Sequence, residues 1–563
     1  MQISSVIFRY LFLFYFFYFY GKSLFNGYQK LSGEQTSHIL NVKVSYYYPL
    51  VGIAFFSNVL FIINFFSPLQ STWVSVLIVL IPLILNFNRS FKFKISIIWA
   101  KPILFIPLIF SFYNNNPSPD AYMYHFVHQQ YLLKERIIFG LSNLFPNLGF
   151  SSIIEYTSVL FWKGNVYSNL NFVNILFIAG FYYYIIGLWS SENIYLKNTS
   201  LMILLISLLD NFGFEGGRNG FFFIQEIGKF DSSFGIVFFI SFVSLLTYIQ
   251  QEQISKIDYY FLFLFILFLG QIKATGFILF FPLILTVFIK ERMGLISIIS
   301  KNALFLVTTF SWLLRSIINT SCLIFPVEFT CIGNFRWSFP YQAQLLSQSV
   351  ISNNRNPEIP YAAYGNFDWI ASYWLPENKS YIINFTFTIF FLYFLSFSKT
   401  RKTNDINFLV VLSFAILNIS IWFFFFPNYR FSAGFFMSLY LILLYKNLFR
   451  SNIFLRVFQK SFYLFFILIV LSVGSIVRLD SYKSALTDVN MNFDQRYTVP
   501  QQLYIRKIDS FGVSPANGKC IINLECTLAE YKIDQKLVGN YKVFTPKNIN
   551  YNIEYLKILN DEN

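Results

Sequence analysis

Charge is what this sequence has least of. Only 12% of its 563 residues are Asp, Glu, Lys or Arg, against 56% hydrophobic, and the mean hydropathy is +0.53. A soluble domain of this length needs a charged surface, so the composition excludes that class and places the chain in lipid. Histidine occurs three times and cysteine four times, which leaves little material for a clustered metal site. The sequence has no P-loop, no GxGxxG and no HExxH, so nucleotide cradles and zinc-protease chemistry of the soluble kind are absent. Internal repeats and low-complexity linkers are also lacking.

Aromatic residues are abundant instead, with 75 Phe and 38 Tyr; phenylalanine fills lipid-facing positions often held by leucine. The formal charge of +15 would suit a nucleic-acid partner, but the basic residues are in the wrong places for one. They collect in short loops between apolar runs, at Arg89, Lys92 and Lys94, at Lys290 and Arg292, at Lys399, Arg401 and Lys402, and at Lys446, Arg450, Arg456 and Lys460. This is the positive-inside pattern, and it assigns those loops to the cytoplasm. The partner it implies is a lipid bilayer and not nucleic acid.

A span needs about 20 apolar residues, with about 17 tolerated. That rule predicts helices near 5–20, 48–66, 72–88, 95–113, 168–189, 199–212, 233–250, 258–270, 274–289, 302–316, 380–397, 407–426, 430–446 and 461–478. The expected fold class is therefore an all-α polytopic membrane protein of about 12–14 transmembrane helices. Residues 1–478 form the membrane domain, with outer loops 114–167, 211–232 and 317–379; residues 479–563 form a small extracytoplasmic domain. All four cysteines fall on the outer side, where Cys322 with Cys331 and Cys520 with Cys526 are expected to form disulfides, four buried free thiols being the alternative.

Chemistry then rests on a few polar residues near the outer surface. Pro117 and Pro119 close the fourth span, and Asp120 is placed either to cap a helix through Phe139 or to act chemically. His125 and His128 lie three apart on that helix; hydrogen bonding or substrate contact suits them better than a metal, because no third ligand stands nearby. A divalent metal stays open as a cofactor, with none assigned. Among the cations, Arg430 occupies an outer turn, Arg315 ends a helix with interfacial anchoring as its alternative, and Lys273 interrupts an apolar stretch. Asp231, before the helix at 233–250, reads as a cap and a secondary site candidate. Trp337, Tyr341, Trp369, Tyr373 and Trp374 suit either sugar stacking or an interfacial belt.

Several blocks together resemble a family of bacterial multi-pass proteins in the GT-C glycosyltransferase superfamily. They are Asp120-Ala-Tyr-Met-Tyr124-His125, the run from Gly140-Leu-Ser-Asn143 to Gly149-Phe-Ser-Ser152, Trp312-Leu-Leu-Arg315 leading to Leu323-Ile-Phe-Pro326, Pro427-Asn-Tyr-Arg430-Phe431, and Cys520 to Cys526 followed by Thr527. The resemblance implies a GT-C-like bundle in the bacterial inner membrane with its active site on the extracytoplasmic side. It implies a polyprenyl-phosphate-linked sugar as donor, an extracytoplasmic glycan, lipid or protein as acceptor, and Asp120 as general base. Tyr124, His125, His128, Asp231, Lys273, Arg315 and Arg430 are then the expected substrate contacts. A hydroxyl nucleophile needs such a base, and a departing phosphate needs such cations. Two other classes fit the span count: an O-antigen ligase or polysaccharide polymerase, and a transporter or flippase, the latter expected to carry more charges inside its spans.

Overall fold

A computed structural model describes residues 2–33, 35–85, 121–162, 167–212, 227–251, 255–291, 303–355, 367–379, 406–425 and 533–547, with a few positions between 382 and 442. Helix dominates: α1 (Gln2–Ser32), α2 (Tyr48–Asn64), α3 (Thr72–Leu85), α4 (Phe126–Lys134), α5 (Ile154–Ser158), α6 (Asn171–Trp189), α7 (Ile194–Phe212), α8 (Asp231–Gln250), α9 (Lys256–Ile272), α10 (Phe280–Glu291), α11 (Ala303–Thr320), α12 (Pro340–Arg355) and α13 (Ile406–Phe425). Two antiparallel hairpins accompany them, β1 (His38–Ile39) with β2 (Val42–Lys43), and β3 (Ile533–Val538) with β4 (Tyr541–Pro546).

Among the described residues, α6 and α8 are long and apolar enough to cross a membrane. Shorter apolar helices correspond to α2, α3, α9, the stretch Ala274–Phe288, and Leu409–Phe425 within α13. The expected spans at 95–113 and 461–478, and that at 380–397 apart from Ile382 and Thr386, lie outside the described residues, as do Asp120, Arg430, Cys520, Cys526 and most of the tail after 479.

The bundle is organised around α1 and α2. Their axes approach so closely that a Cβ on Gly21 would collide with the Tyr48 carbonyl and one on Gly52 with the Phe17 carbonyl. Only glycine lets two backbones meet in this way. Phe16, Phe17, Tyr20 and Phe56 then interlock beside the crossing, with ring centroids 4.8–5.6 Å apart. At one end of the bundle, a capping box between Ser255 and Asp258 starts α9, and the spare Asp258 oxygen accepts the Leu40 amide at 2.8 Å. That carboxylate holds the β1–β2 turn, where Leu40 and Asn41 both take positive φ.

The opposite end carries the polar layer. The turn after α2 receives α4: the Leu69 and Gln70 amides donate to the Leu132 and Leu133 carbonyls at 3.1 Å, and Asn64 donates its side-chain amide to the Glu135 carbonyl at 3.0 Å. Here α4 stops at Lys134, because Glu135 is extended (φ −125°); the helix expected through Phe139 is five residues shorter. Hairpin β3–β4 comes from about 400 residues away to the same place. The Phe139 amide donates to the Lys542 carbonyl at 3.0 Å and the Phe544 amide returns to the Phe139 carbonyl at 2.9 Å, so residue 139 adds to the hairpin as a short parallel strand.

Candidate functional site

A π-helical turn, Ala121–His125, and the start of α4 set His125 and His128 on one face. Opposite stands α5, anchored by the Ile153 amide on the Gln271 carbonyl at 3.0 Å and by Ser57 against Thr157 at 2.6 Å. From α5 the Glu155 carboxylate reaches both imidazoles: Oε1 lies 2.5 Å from Nδ1 of His125 and Oε2 lies 2.5 Å from Nδ1 of His128. The Ser152 amide adds a third donor to Oε2 at 3.3 Å.

Arg315 closes the cluster from α11. It sits five residues inside the helix end and is only 3% exposed, a buried position in place of the expected surface end. Its Nη2 lies 3.0 Å from Nε2 of His128 and its Nε donates to the Tyr156 hydroxyl at 2.9 Å. The guanidinium also lies 4.8 Å from the Trp312 ring centroid. Asn319, with its carboxamide turned so that both neighbours are satisfied, accepts from Arg315 Nη2 at 3.1 Å and donates to the Ile138 carbonyl at 2.9 Å. These partners use the cation inside the protein.

The electrostatics follow from burial and charge. Burial pushes the Glu155 carboxyl up, but the imidazoles of His128 and His125 outweigh it and hold the group down at about 2. Burial lowers His128; the adjoining Glu155 pulls the other way, and the Arg315 cation reinforces the lowering. Glu155 is thus ionised and His128 neutral at neutral pH.

Beside this cluster lies a second one. Asp231 is the first residue of α8, not its cap, which is Phe230. Its carboxylate forms an ion pair with Lys273, the residue that ends α9, so two separately expected contacts form a pair. Asp231 is buried and Lys273 about a quarter exposed. The two clusters meet through Phe230, whose ring packs edge-on against His125 at 5.3 Å, and through Gly228, where a Cβ would come within 2.6 Å of Ala121. Gly228 takes φ 91°, a second reason for glycine there. Tyr124 stacks obliquely on His125 at 4.2 Å.

Of the sequence-predicted residues, His125, His128 and Arg315 are brought together, Asp231 and Lys273 pair alongside, and Tyr124 flanks them. Asp120, which precedes Ala121, and Arg430 lie outside the described residues. Glu155 and Tyr156 are the members that sequence reasoning missed. The signal was a lone carboxylate in the otherwise uncharged run Phe150–Ser158. Of the aromatics that suit either sugar stacking or an interfacial belt, Trp337 stacks on Phe335 at 4.8 Å, and Trp369 and Trp374 pack on Phe423 at 5.6 and 5.2 Å. Cys322 and Cys331 are joined by a disulfide. Among the described residues, no set of three or more His, Cys, Asp or Glu is gathered to hold a metal ion, and both Nδ1 atoms are spent on Glu155.

Residues 4–437 match a family described as a domain of unknown function, DUF8201. The chain belongs to this family. No curated protein and no solved structure matches it. The span shared with DUF8201 contains the whole Glu155 cluster and the Asp231–Lys273 pair, and it stops short of hairpin β3–β4.

Proposed function

We propose that this DUF8201 chain is a polytopic membrane glycosyltransferase that moves a sugar from a polyprenyl-phosphate donor to a hydroxyl on an extracytoplasmic glycan, lipid or protein. The observation that carries the proposal is the Glu155-bridged pair of histidines, seated directly after Asp120 in sequence and beside the Lys273–Asp231 pair. Group transfer to a hydroxyl requires a proton acceptor and a cation for the departing phosphate, and these residue types meet here. They come from segments that the basic-loop pattern assigns to one side of the membrane.

Membrane embedding is supported by outward apolar faces. Val76, Val79 and Ile84 of α3, Phe281 and Phe288 of α10, Val307 and Phe310 of α11, and Leu409, Ile416 and Leu417 of α13 are all exposed. Helices that present such faces to water would aggregate, whereas lipid accepts them.

In the proposed reaction the acceptor oxygen attacks the anomeric carbon and the polyprenyl phosphate leaves with the electron pair of the broken bond. Asp120 is the carboxylate that the resemblance sets at the reacting centre. Arg430 is the cation assigned first to the phosphate and Lys273, whose charge is shared with Asp231, the second, while Arg315 is withdrawn from that role by its internal partners.

The test is transfer of radiolabelled sugar from a panel of polyprenyl-phosphate donors by the purified protein in liposomes. Asp120→Asn is expected to lower transfer by roughly 10²–10⁴ while expression is unchanged, because the amide keeps the size and capping ability of the carboxylate. Absence of transfer from folded wild-type protein across the panel would overturn the reading. Movement of the donor across the bilayer without transfer would replace it with a transporter.

A further inference from the structure

Glu155 holds two imidazoles by the same nitrogen, yet their other nitrogens have different surroundings. A guanidinium has only N–H donors, so Nε2 of His128 must offer Arg315 a lone pair and its proton must sit on Nδ1, donating to Glu155. His128 is therefore fixed as a neutral spacer. His125 donates its own Nδ1 proton to the other Glu155 oxygen. In the neutral ring with that tautomer Nε2 is an acceptor, and no described residue donates to it. His125 is 7% exposed and walled by Tyr124 and Phe230, at 4.2 and 5.3 Å. Charged groups around it are Glu155 at 2.5 Å, Arg315 beyond His128, and the Asp231–Lys273 pair behind Phe230.

We infer that the proton of the acceptor hydroxyl, for which the resemblance names Asp120 as first acceptor, comes to rest on Nε2 of His125, with Glu155 and Arg315 as positioning residues that keep that nitrogen free to take it. The inference rests on the transferase reading. The hydroxyl O–H bond breaks, its electron pair makes the new bond to the anomeric carbon, and the anomeric bond to phosphate breaks with its pair on the departing polyprenyl phosphate. The proton makes an imidazolium at His125 whose charge is matched by Glu155, and it passes to water before the next turnover. The arrangement follows the general logic of a base oriented by a carboxylate, and it selects a hydroxyl-bearing ligand, since a lone pair at Nε2 repels an anion.

Diethylpyrocarbonate, which acylates accessible unprotonated imidazole nitrogens, tests the geometry without any transfer assay. The chain has three histidines, and His38 is exposed. Peptide mapping of the full chain in detergent is expected to show His38 modified first, His125 next and His128 protected, with His128 becoming reactive in Arg315→Leu. If that variant does not fold, the wild-type order alone decides: His128 reacting as fast as His125, or His125 inert when His38 is complete, overturns the inference. In the transfer assay, His125→Asn keeps a donor for Glu155 and loses Nε2. It is expected to lower kcat by about 10² or more with KM within about two-fold. Retention of half the wild-type rate would remove this step and leave the transferase reading standing. Failure of wild-type protein to transfer sugar would remove both.

Discussion

At the scale of residues, the site is built on one carboxylate serving two imidazoles. Each oxygen of Glu155 accepts one Nδ1–H, and the arrangement needs two acceptors. A glutamine at 155 has one, and turns its NH₂ towards the other imidazole. Arg315 supplies the balancing positive charge. Replacing it with Met leaves the buried Glu155 carboxylate without that charge, and breaking a buried charge network by removing one member costs about 3–5 kcal/mol. Thermal unfolding in detergent is expected to show a loss of that order for Arg315→Met; a loss under about 1 kcal/mol would mean the cation is not part of the network.

The same residues set a pH response. His128 binds its proton more weakly in the fold than its ordinary value of 6.5, and Glu155 is held at about 2 against an ordinary 4.5. In both cases the unfolded chain takes up the proton first, so stability is complete above about pH 6.5 and is lost on acidification. The His128 contribution goes as pH falls below 6.5, and that of Glu155 between 4.5 and about 2. Melting temperature in detergent is expected to be level from pH 7 upward and to fall below 6.5, whereas a rise on acidification would contradict the neutral state of His128. His125, His128, Arg315, Lys273 and Asp231 were legible because charge is scarce in this chain and each stood out. Glu155 was not, since no spacing rule links residues 27 and 30 positions apart. The Asp231–Lys273 pair was hidden for the same reason: its partners belong to different helices.

At the scale of elements, what positions the cluster is the way short polar segments lean on long apolar ones. The sequence reads α9 and α10 as two short spans broken near Lys273, and the structure has a 3₁₀ turn, Ala274–Leu279, at that break. The first helix runs to Ser32, beyond the expected end at 20, because Gly21 is used for a helix crossing and not as a stop. Hydropathy finds spans but not crossings, which depend on the residue opposite. Gly52→Val is expected to force α1 and α2 apart and to lower the melting temperature or folded yield sharply, overpacking costing about 1–3 kcal/mol or more. Substitutions Gly180→Ala and Gly187→Ala are expected to be milder, since Gly180 and Gly187 face side-chain atoms of Leu50 and Tyr46 at 2.7 and 2.6 Å, where Gly52 faces backbone. A Gly52→Val protein with unchanged melting would show that the two backbones do not need to meet at this crossing.

At the scale of the whole molecule, what matters is which segments share an end. Backbone hydrogen bonds tie the turn after α2 to α4, Ile153 to the end of α9, Gly140 to Ile318 near the end of α11, and Phe139 to the distant hairpin β3–β4. The start of α9, the β1–β2 turn and the α6–α7 turn are joined at the other end, through Asp258 to Leu40 and Ser191 to Asn41. The expectation from the basic-loop pattern is that the first group lies outside and the second in the cytoplasm. Single cysteines at exposed Asn334 and Lys536 are therefore expected to react with a membrane-impermeant maleimide added to intact cells, and cysteines at exposed Ser37 and Ser190 only after permeabilisation. The native Cys322 and Cys331 do not compete, being joined to each other. Labelling in the reverse order would put the Glu155 cluster on the cytoplasmic face, away from a donor presented outside, and would sink the transferase proposal whatever the geometry of the histidines. Mixed labelling within either set would instead mean that the two ends are not separated by a bilayer, and the exposed apolar faces of α3, α10, α11 and α13 would then need another partner.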